Sequence, residues 1–550
     1  MRILIIGGYG SFGGRLVDLL LDEPRLTLIV GGRNLEAAQR FCAARHGAAV
    51  LEPVRFDREA PESALVQLKP DIAVDCAGPF QLYGRDPYRV IRAALAAGAH
   101  WIDLADGLGF VRGIGELDAV ARAAGKFVLT GTSTCPVLTT AVVRRLGEGM
   151  TVKSVIAGIA PSPFAGLGLS VIKAIMSYAG APVRVLENGE WTVEPGLISS
   201  RTMTVSVPGR VPLLPTRFAL VEVPDLEVVP EEWPEVESVW FGAGPRPPAT
   251  HRILWLLAGL VRVRLLPSLL PLARFLDWAA DHIRWGEDRG GMIVEVSDGQ
   301  RTRSWHMLAE GNSGPYVPSM AAEAIIRKCL DGAWPEAGAR SAQHEVELSD
   351  YDAMFARRGI VSGIREDRNG TPYQRVLGSA YAELPKPVQD LHAFETTAAF
   401  SGRARVAGAS NPVGKLVARI FGFPRPADDI AVTVTLARED GVETWTRSFA
   451  GSTFQSKQQE GEGRYAGLIV ERFGLTGFGM AVVVEGGRLG LVLRRWDILG
   501  LPMPRWLMPH VTAGEHADDG RFHFLVDIAL PVLGRLVRYE GWLLQDKSRA

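Results

Sequence analysis

The chain has little of what a redox framework or a metal centre needs. Its four cysteines, Cys42, Cys76, Cys135 and Cys329, are scattered through 550 residues with no C-x-x-C pair. That usage excludes a disulfide framework and suits a reducing cytoplasm. Ten histidines include no HxH and no HExxH arrangement, so no metal site is expected. Neither charge sign is in excess, with 60 Lys and Arg against 61 Asp and Glu, and no global field favours nucleic acid. No apolar run reaches the roughly 18 residues of a spanning helix. The longest, from Ile253, is interrupted by Arg262 and Arg264 and followed by Pro267 and Pro271. A buried helix pair is expected there. The alternative is an interfacial, membrane-peripheral helix carrying Arg252, Arg262, Arg264 and Arg274. No signal peptide precedes the first strand.

What the chain does have begins at residue 3. Ile3 to Ile6 is a short apolar run that reads as a buried parallel strand, and Leu16, Val17, Leu19 and Leu20 follow at helical spacing. Between them lies Gly8-x-Gly10-x-x-Gly13. Strand, glycine turn and helix in that order are the context of a dinucleotide fingerprint. Gly8 permits the tight turn, Gly10 lets the backbone approach a pyrophosphate, and Gly13 lets helix and strand pack closely. The phosphates would sit on free N–H groups at the helix N-terminus.

Leu26 to Val30 reads as the second strand, ending in Gly31-Gly32-Arg33-Asn34. An NAD enzyme usually places Asp or Glu there for the ribose 2′-hydroxyl; a carboxylate would repel a 2′-phosphate, whereas Arg33 can pair with it. NADP is therefore expected over NAD, the alternative being that Arg33 is only a solvated loop residue. Asn34 also reads as a helix N-cap. Val50 to Phe56 makes a third strand ending at Asp57, placed to contact an adenine amino group. Asp71 to Asp75 supplies the fourth, with a sharp exit at Cys76-Ala77-Gly78-Pro79-Phe80. Strands at His100 to Leu104 and Lys126 to Thr130 complete six, alternating with helices near 87–97 and 113–124, and imply a doubly wound parallel sheet. The cofactor contacts expected are Gly8, Tyr9, Gly10, Ser11, Phe12, Gly13, Arg33, Asn34, Asp57, Ala77, Gly78, Pro79 and Phe80.

The fingerprint, Gly32-Arg33, Cys76-Ala77-Gly78-Pro79-Phe80-x-x-Tyr83-Gly84 and His100-Trp101-Ile102-Asp103-Leu104 together resemble the saccharopine-dehydrogenase-like family. The resemblance spans about the first 135 residues and loosens to about residue 350. It implies an NADP-binding Rossmann domain, an inserted α+β substrate domain, and oxidoreductase activity of the kind shown by saccharopine reductases and trans-acting enoyl reductases. Family members often carry Gly-Glu after the Asp-Leu pair; this chain has Ala105-Asp106-Gly107, so saccharopine is not assumed as substrate.

Three domains are expected: the Rossmann domain at 1–135, the α+β substrate domain at 136–345, and a C-terminal β-rich domain at 370–550. In the second, Glu187-Asn188-Gly189-Glu190 reads as a hairpin turn. Strands are expected near 155–159, 201–207, 292–296 and 304–308, with a helix from Leu167 and another through Ala321 to Cys329, which in the family returns beside the nucleotide fold. Gly338 to Gly370 reads as a charged linker. Beyond it the period becomes two: Ile430, Val432, Val434 and Leu436 alternate with Ala431, Thr433, Thr435 and Ala437. With Gly486-Gly487 and a helix over 413–420, this predicts an antiparallel α+β module with a barrel-like or strongly curved sheet. It resembles C-terminal domains of unknown function fused to this family.

Hydride transfer needs a placed cofactor and substrate more than an unusual side chain. Tyr83, Asp103 and Asp106, after strand ends, are the candidate catalytic groups. Their structural alternatives are stacking, loop bracing and solvation. Cys135, without a neighbouring histidine, reads as a buried small residue lining the cleft. Trp496, Trp506, Trp542, Phe522 and Phe524 are either aromatic core or the lining of an apolar cavity. The activity expected is NADP-dependent hydride transfer with a C=N, C=C or C=O bond of a small-molecule substrate. The rival is a non-catalytic binder of NADP(H) or a lipid-like ligand, and a homodimerising role is the other reading of the C-terminal module.

Overall fold

A computed structural model describes residues 1–166, 168–366 and 370–546. The chain divides into two compact units, one of residues 1–203 and 216–362, the other of 204–215 and 363–550. Leu167, the start of one expected helix, lies outside the described residues, as do 367–369 of the expected linker.

The first unit opens with the strand–turn–helix that the apolar run requires: β1 (Arg2–Ile6), then α1 (Ser11–Leu20). Ile3, Leu4 and Ile5 are wholly buried, as central parallel strands must be. The strands β2 (Thr27–Gly32), β3 (Val50–Arg55), β4 (Ile72–Asp75), β5 (His100–Asp103) and β6 (Phe127–Thr130) pair in parallel in the order β3-β2-β1-β4-β5-β6. A seventh parallel strand, Gly338–Ser341, extends the sheet beyond β6. It comes from the stretch expected to be a linker, which also holds a helix, Leu348–Arg357, and a strand, Val361–Glu366. That helix is started by a Glu347/Asp350 capping box and buries Tyr351, Met354 and Phe355. Charged residues on its other face had masked a helix with one apolar side.

A mixed sheet follows, with Ser154–Ala160 at its centre, parallel to Ser238–Ala243 and antiparallel to Arg289–Ser297. The hairpin expected at Asn188-Gly189 joins Pro182–Glu187 to Glu190–Pro195, and both turn residues have positive φ. The helix Val317–Leu330 returns to the nucleotide fold, where the Ser319 hydroxyl donates to the Phe12 carbonyl at 3.1 Å.

The apolar segment at 253–276 departs from the buried helix pair expected. The helix Pro248–Arg262 buries only His251 and Ala258, and Leu256, Phe275 and Trp278 are more than half exposed. Its apolar residues occupy more of the helix circumference than one packing partner covers. No helix among the described residues is long and apolar enough to cross a membrane.

In the second unit, strands between Thr397 and Gln545 form an antiparallel meander in which Thr397–Gly408 pairs with Gly534–Gln545 and Thr476–Glu485 pairs with Arg488–Ile498. These pairings close a ten-stranded barrel among the described residues. Val432, Val434 and Leu436 face inward and the intervening residues outward, the reverse of a membrane-spanning barrel. The helices Pro372–Leu377 and Lys386–His392 pack against one end, burying Tyr373, Leu391 and His392.

Candidate functional site

The site lies at the carboxyl edge of the parallel sheet, where the strand order reverses between β1 and β4, the position at which such sheets bind ligands. Leaving β1, the chain turns at Gly7 with φ +74°, and the N–H groups of Gly7 and Gly8 both donate to the Gly31 carbonyl of β2, at 2.9 and 3.1 Å. Gly10 then donates to the Gly7 carbonyl at 2.8 Å and starts α1. A Cβ on Gly13 would stand 2.3 Å from the Gly7 carbonyl oxygen, so only glycine lets helix and turn meet.

No side chain caps α1. Its first N–H groups therefore have no intrahelical acceptor and suit a phosphate. Tyr9 ties this loop to β2: its hydroxyl accepts from the Asn34 N–H at 3.0 Å, and its ring lies over Gly32, where a Cβ would come within 2.3 Å of it. Asn34 caps the next helix through the Ala37 N–H at 3.0 Å, as its sequence position predicts. Arg33 beside it is exposed and has no ion pair among the described residues. Asp57 is exposed and accepts from the Glu59 N–H at 3.0 Å.

Two carboxylates at adjacent strand ends organise the rest. Asp75, wholly buried at the end of β4, accepts from Arg58 at 2.6 Å, from Tyr83 at 3.2 Å and from the Ala77 N–H at 3.0 Å. The Arg58 guanidinium also lies 3.5 Å over the Tyr83 ring. Tyr83 is thus held as a donor, its phenol pushed well up by burial and by Asp75. Asp103, at the end of β5, is wholly buried and accepts from Trp101, Ala105, Thr130 and Gly131 at 2.8–3.1 Å. Burial raises its carboxyl to about 6 against those four bonds. Asp106, half-buried, accepts only from Gln81, at 3.1 Å, and is raised by burial. Gly78-Pro79 is a cis peptide, and Phe80 is buried against Tyr83 and Phe110.

Sequence reasoning missed Asp75 and Arg58, the pair that holds Tyr83, and also Asp225. Asp225 is 1% exposed, neither of its oxygens has a partner of good hydrogen-bond geometry among the described residues, and burial raises it to about 7 against the Thr139 hydroxyl and Cys135 thiol. Nothing local marks it, because its burial comes from packing of its helix near Cys135. Cys135 is buried, with its thiol pushed well up by desolvation and by Asp225. Beside the fingerprint, Phe12 and Thr134 share with Ile159, Met292, Met307 and Val317 the wall of a largely apolar cavity of about 220 Å³.

Residues 3–128 match the saccharopine dehydrogenase NADP-binding domain, and residues 384–543 match a domain of unknown function, DUF4166. The first match covers the nucleotide fold described above and is to an NADP-binding domain family. The match supports an NAD(P)-dependent oxidoreductase, and the glycine cradle and uncapped α1 fit a dinucleotide. No curated protein matches the chain. Among solved structures, saccharopine dehydrogenase (L-Glu forming) from Saccharomyces cerevisiae aligns over 67% of this chain and 100% of its own, at 14% identity and TM-score 0.46. A mutant meso-DAPDH from Clostridium tetani, solved with DAP, aligns over 65% and 98%, at 13% identity and TM-score 0.31. A probable dehydrogenase from Thermotoga maritima aligns over 62% and 91%, at 11% identity and TM-score 0.30.

Proposed function

We propose that this saccharopine-dehydrogenase-like protein is an NADP-dependent oxidoreductase acting on a C=N, C=C or C=O bond of an apolar small molecule. The observation that carries the cofactor choice is Arg33, an exposed guanidinium with no ion pair among the described residues at the exit of β2, where a carboxylate would serve NAD. The nicotinamide, when bound, supplies or takes the hydride. Gly8, Gly10 and the first N–H groups of α1 would hold the pyrophosphate, and Arg33 the 2′-phosphate. The cavity walled by Phe12, Ile159, Met292 and Met307 suits an apolar substrate. A reduction also needs a proton at the heteroatom or second carbon. Of the three candidates, Tyr83 is held by Asp75 and Asp103 accepts four bonds, whereas Asp106 accepts one, from Gln81, and is raised by burial, which favours it as the proton donor.

Fluorescence titration with NADPH and NADH tests the reading. Native protein should prefer NADPH, and Arg33→Ala should weaken NADPH by about 1–3 kcal/mol while sparing NADH. Equal affinity of the native chain for both would remove the NADP assignment. The engagement of Tyr83 and Asp103 also favours a second reading, a dinucleotide-binding protein without turnover. A screen of NADPH oxidation against imines, enones and ketones separates the two, since only an enzyme shows substrate-dependent oxidation.

A further inference from the structure

The C-terminal barrel encloses a cavity of about 310 Å³, within the ~300–1,000 Å³ range of small-molecule sites. Trp496, Phe522 and Phe524, singled out by the sequence, line it with Val434, Phe449 and Met480. Trp506 and Trp542 do not. Protein interiors are ordinarily close-packed, and an apolar void this large forgoes contacts that a ligand would restore.

The polar groups inside restrict what that ligand can be. Arg447, the cation of the lining, is bonded to Ser456 at 2.8 Å and paired with Glu471 at 3.3 Å, and Glu471 accepts from Ser456 and Gln458 as well. Glu515 lies 2.7 Å from His392. The cavity therefore offers no spare cation to an anionic headgroup. Tyr539 differs: it lines the cavity, is 5% exposed, and its hydroxyl has no hydrogen-bond partner among the described residues. It can bond one uncharged oxygen.

The two ends of the barrel are unlike. At the end covered by Pro372–Leu377 and Lys386–His392, the connections 440–441, 486–487 and 519–520 are Asp-Gly or Gly-Gly turns. At the other end the connections expose Leu416 and Ile420, Leu475, Leu499, Trp506 and Val532, by 58–104%. Those mouth connections (409–426, 450–451, 474–475, 499–509 and 531–533) carry Lys415, Arg419, Arg425 and Arg505, all exposed, and no acidic residue. Asp428 and Asp429, exposed at the start of the next strand, are paired with Arg405 and Arg403, so the rim's unpaired charges among the described residues are positive and complement an anionic lipid surface.

We propose that the barrel binds an uncharged, elongated apolar molecule bearing a hydroxyl or carbonyl oxygen, and takes it up through this mouth from an anionic bilayer. The ligand's chain lies among the aromatic and aliphatic side chains, and its oxygen accepts from or donates to Tyr539. Leu416, Ile420 and Trp506 enter the acyl boundary while the four cations meet lipid phosphates.

The test uses the full chain with diphenylhexatriene, a hydrocarbon probe without polar atoms, and competes it with 1-hexadecanol or palmitate. Saturable binding of the probe is expected, with hexadecanol displacing it at least tenfold more effectively than palmitate at pH 8. Ala513→Trp and Leu491→Trp, which fill the cavity, should abolish probe binding while far-ultraviolet circular dichroism and a cooperative urea transition stay native. Tyr539→Phe should weaken hexadecanol several-fold and leave the probe unchanged, a split that general unfolding would not produce. The chain should float with vesicles of 3:1 phosphatidylcholine and phosphatidylglycerol, and an Ile420→Ser/Trp506→Ser double variant should float less yet still bind the probe. Non-saturable binding, palmitate equal to hexadecanol, natively folded cavity variants that bind like the native chain, or flotation unchanged in the double variant would overturn the proposal.

Discussion

Asp225 offers a test of what burying a carboxyl costs this fold. It begins the helix Asp225–Glu232 and is 1% exposed; among the described residues neither oxygen has a partner of good hydrogen-bond geometry, and the Thr139 hydroxyl and Cys135 thiol beside it offset its burial only in part. Burial raises its carboxyl from 3.8 to about 7. Between those values the native state keeps a proton that the unfolded state has released, so the group's contribution is full below about pH 4 and is lost as pH rises through 7. At ~1.4 kcal/mol per pH unit the loss amounts to about 4 kcal/mol. Asp225→Asn retains the shape without the charge. Urea unfolding of both proteins at pH 4, 6 and 8 should give nearly equal stabilities at pH 4, with the variant more stable by about 2–3 kcal/mol at pH 6 and about 4 at pH 8. A difference independent of pH would show that the carboxyl titrates normally when folded and that its burial has been misjudged.

Three further outcomes follow from the geometry. Gly13→Ala places a methyl 2.3 Å from the Gly7 carbonyl, so it should cost about 1–3 kcal/mol in thermal or urea unfolding and weaken dinucleotide binding more than tenfold by fluorescence. Asp103→Asn keeps the acceptor facing Ala105, Thr130 and Gly131 but turns an amide N–H₂ toward the Trp101 indole N–H. It should destabilise by about 1–3 kcal/mol, and the added Trp101→Phe should recover part of that in a double-mutant cycle. Tyr83→Phe removes one bond to Asp75 while Arg58 and Ala77 keep theirs, so stability should fall by only about 1 kcal/mol with NADPH affinity within twofold of native.

The features legible in the sequence are those whose signal is local. The fingerprint, the Asn34 cap and the Asn188-Gly189 hairpin each depend on a few adjacent residues, and the structure contains all three. The barrel strands announced themselves by period two because one face of each is buried. Closure did not, because pairing Thr397–Gly408 with Gly534–Gln545 joins segments more than a hundred residues apart. The seventh strand of the nucleotide sheet, Gly338–Ser341, is four residues long and becomes a strand only beside β6. Asp75 and Arg58 read as unremarkable at a strand end and in a loop, and their pairing appears only when both reach Tyr83. The apolar segment at 253–276 misled for the opposite reason. Hydrophobicity there was real, but burial is a property of the partner, and most of that surface has none within its unit.

The barrel's cavity sets how far a ligand can stabilise its unit. At ~24 cal/mol per Å³, filling 310 Å³ is worth up to about 7 kcal/mol of packing, comparable with the whole ~5–15 kcal/mol by which a domain is stable. The sheet that encloses it is closed, with its edges paired and helices over one end. An uncharged long-chain alcohol present at a hundred times its Kd should raise the stability of this unit by about 2.7 kcal/mol. Calorimetry of the full chain should show one transition moving upward with hexadecanol while that of the nucleotide-binding unit moves only with NADPH. If hexadecanol shifted both transitions or neither, the void would be ordinary loose packing and the barrel a scaffold. Independent movement of the two transitions would make the fusion a coupling of two separately occupied sites.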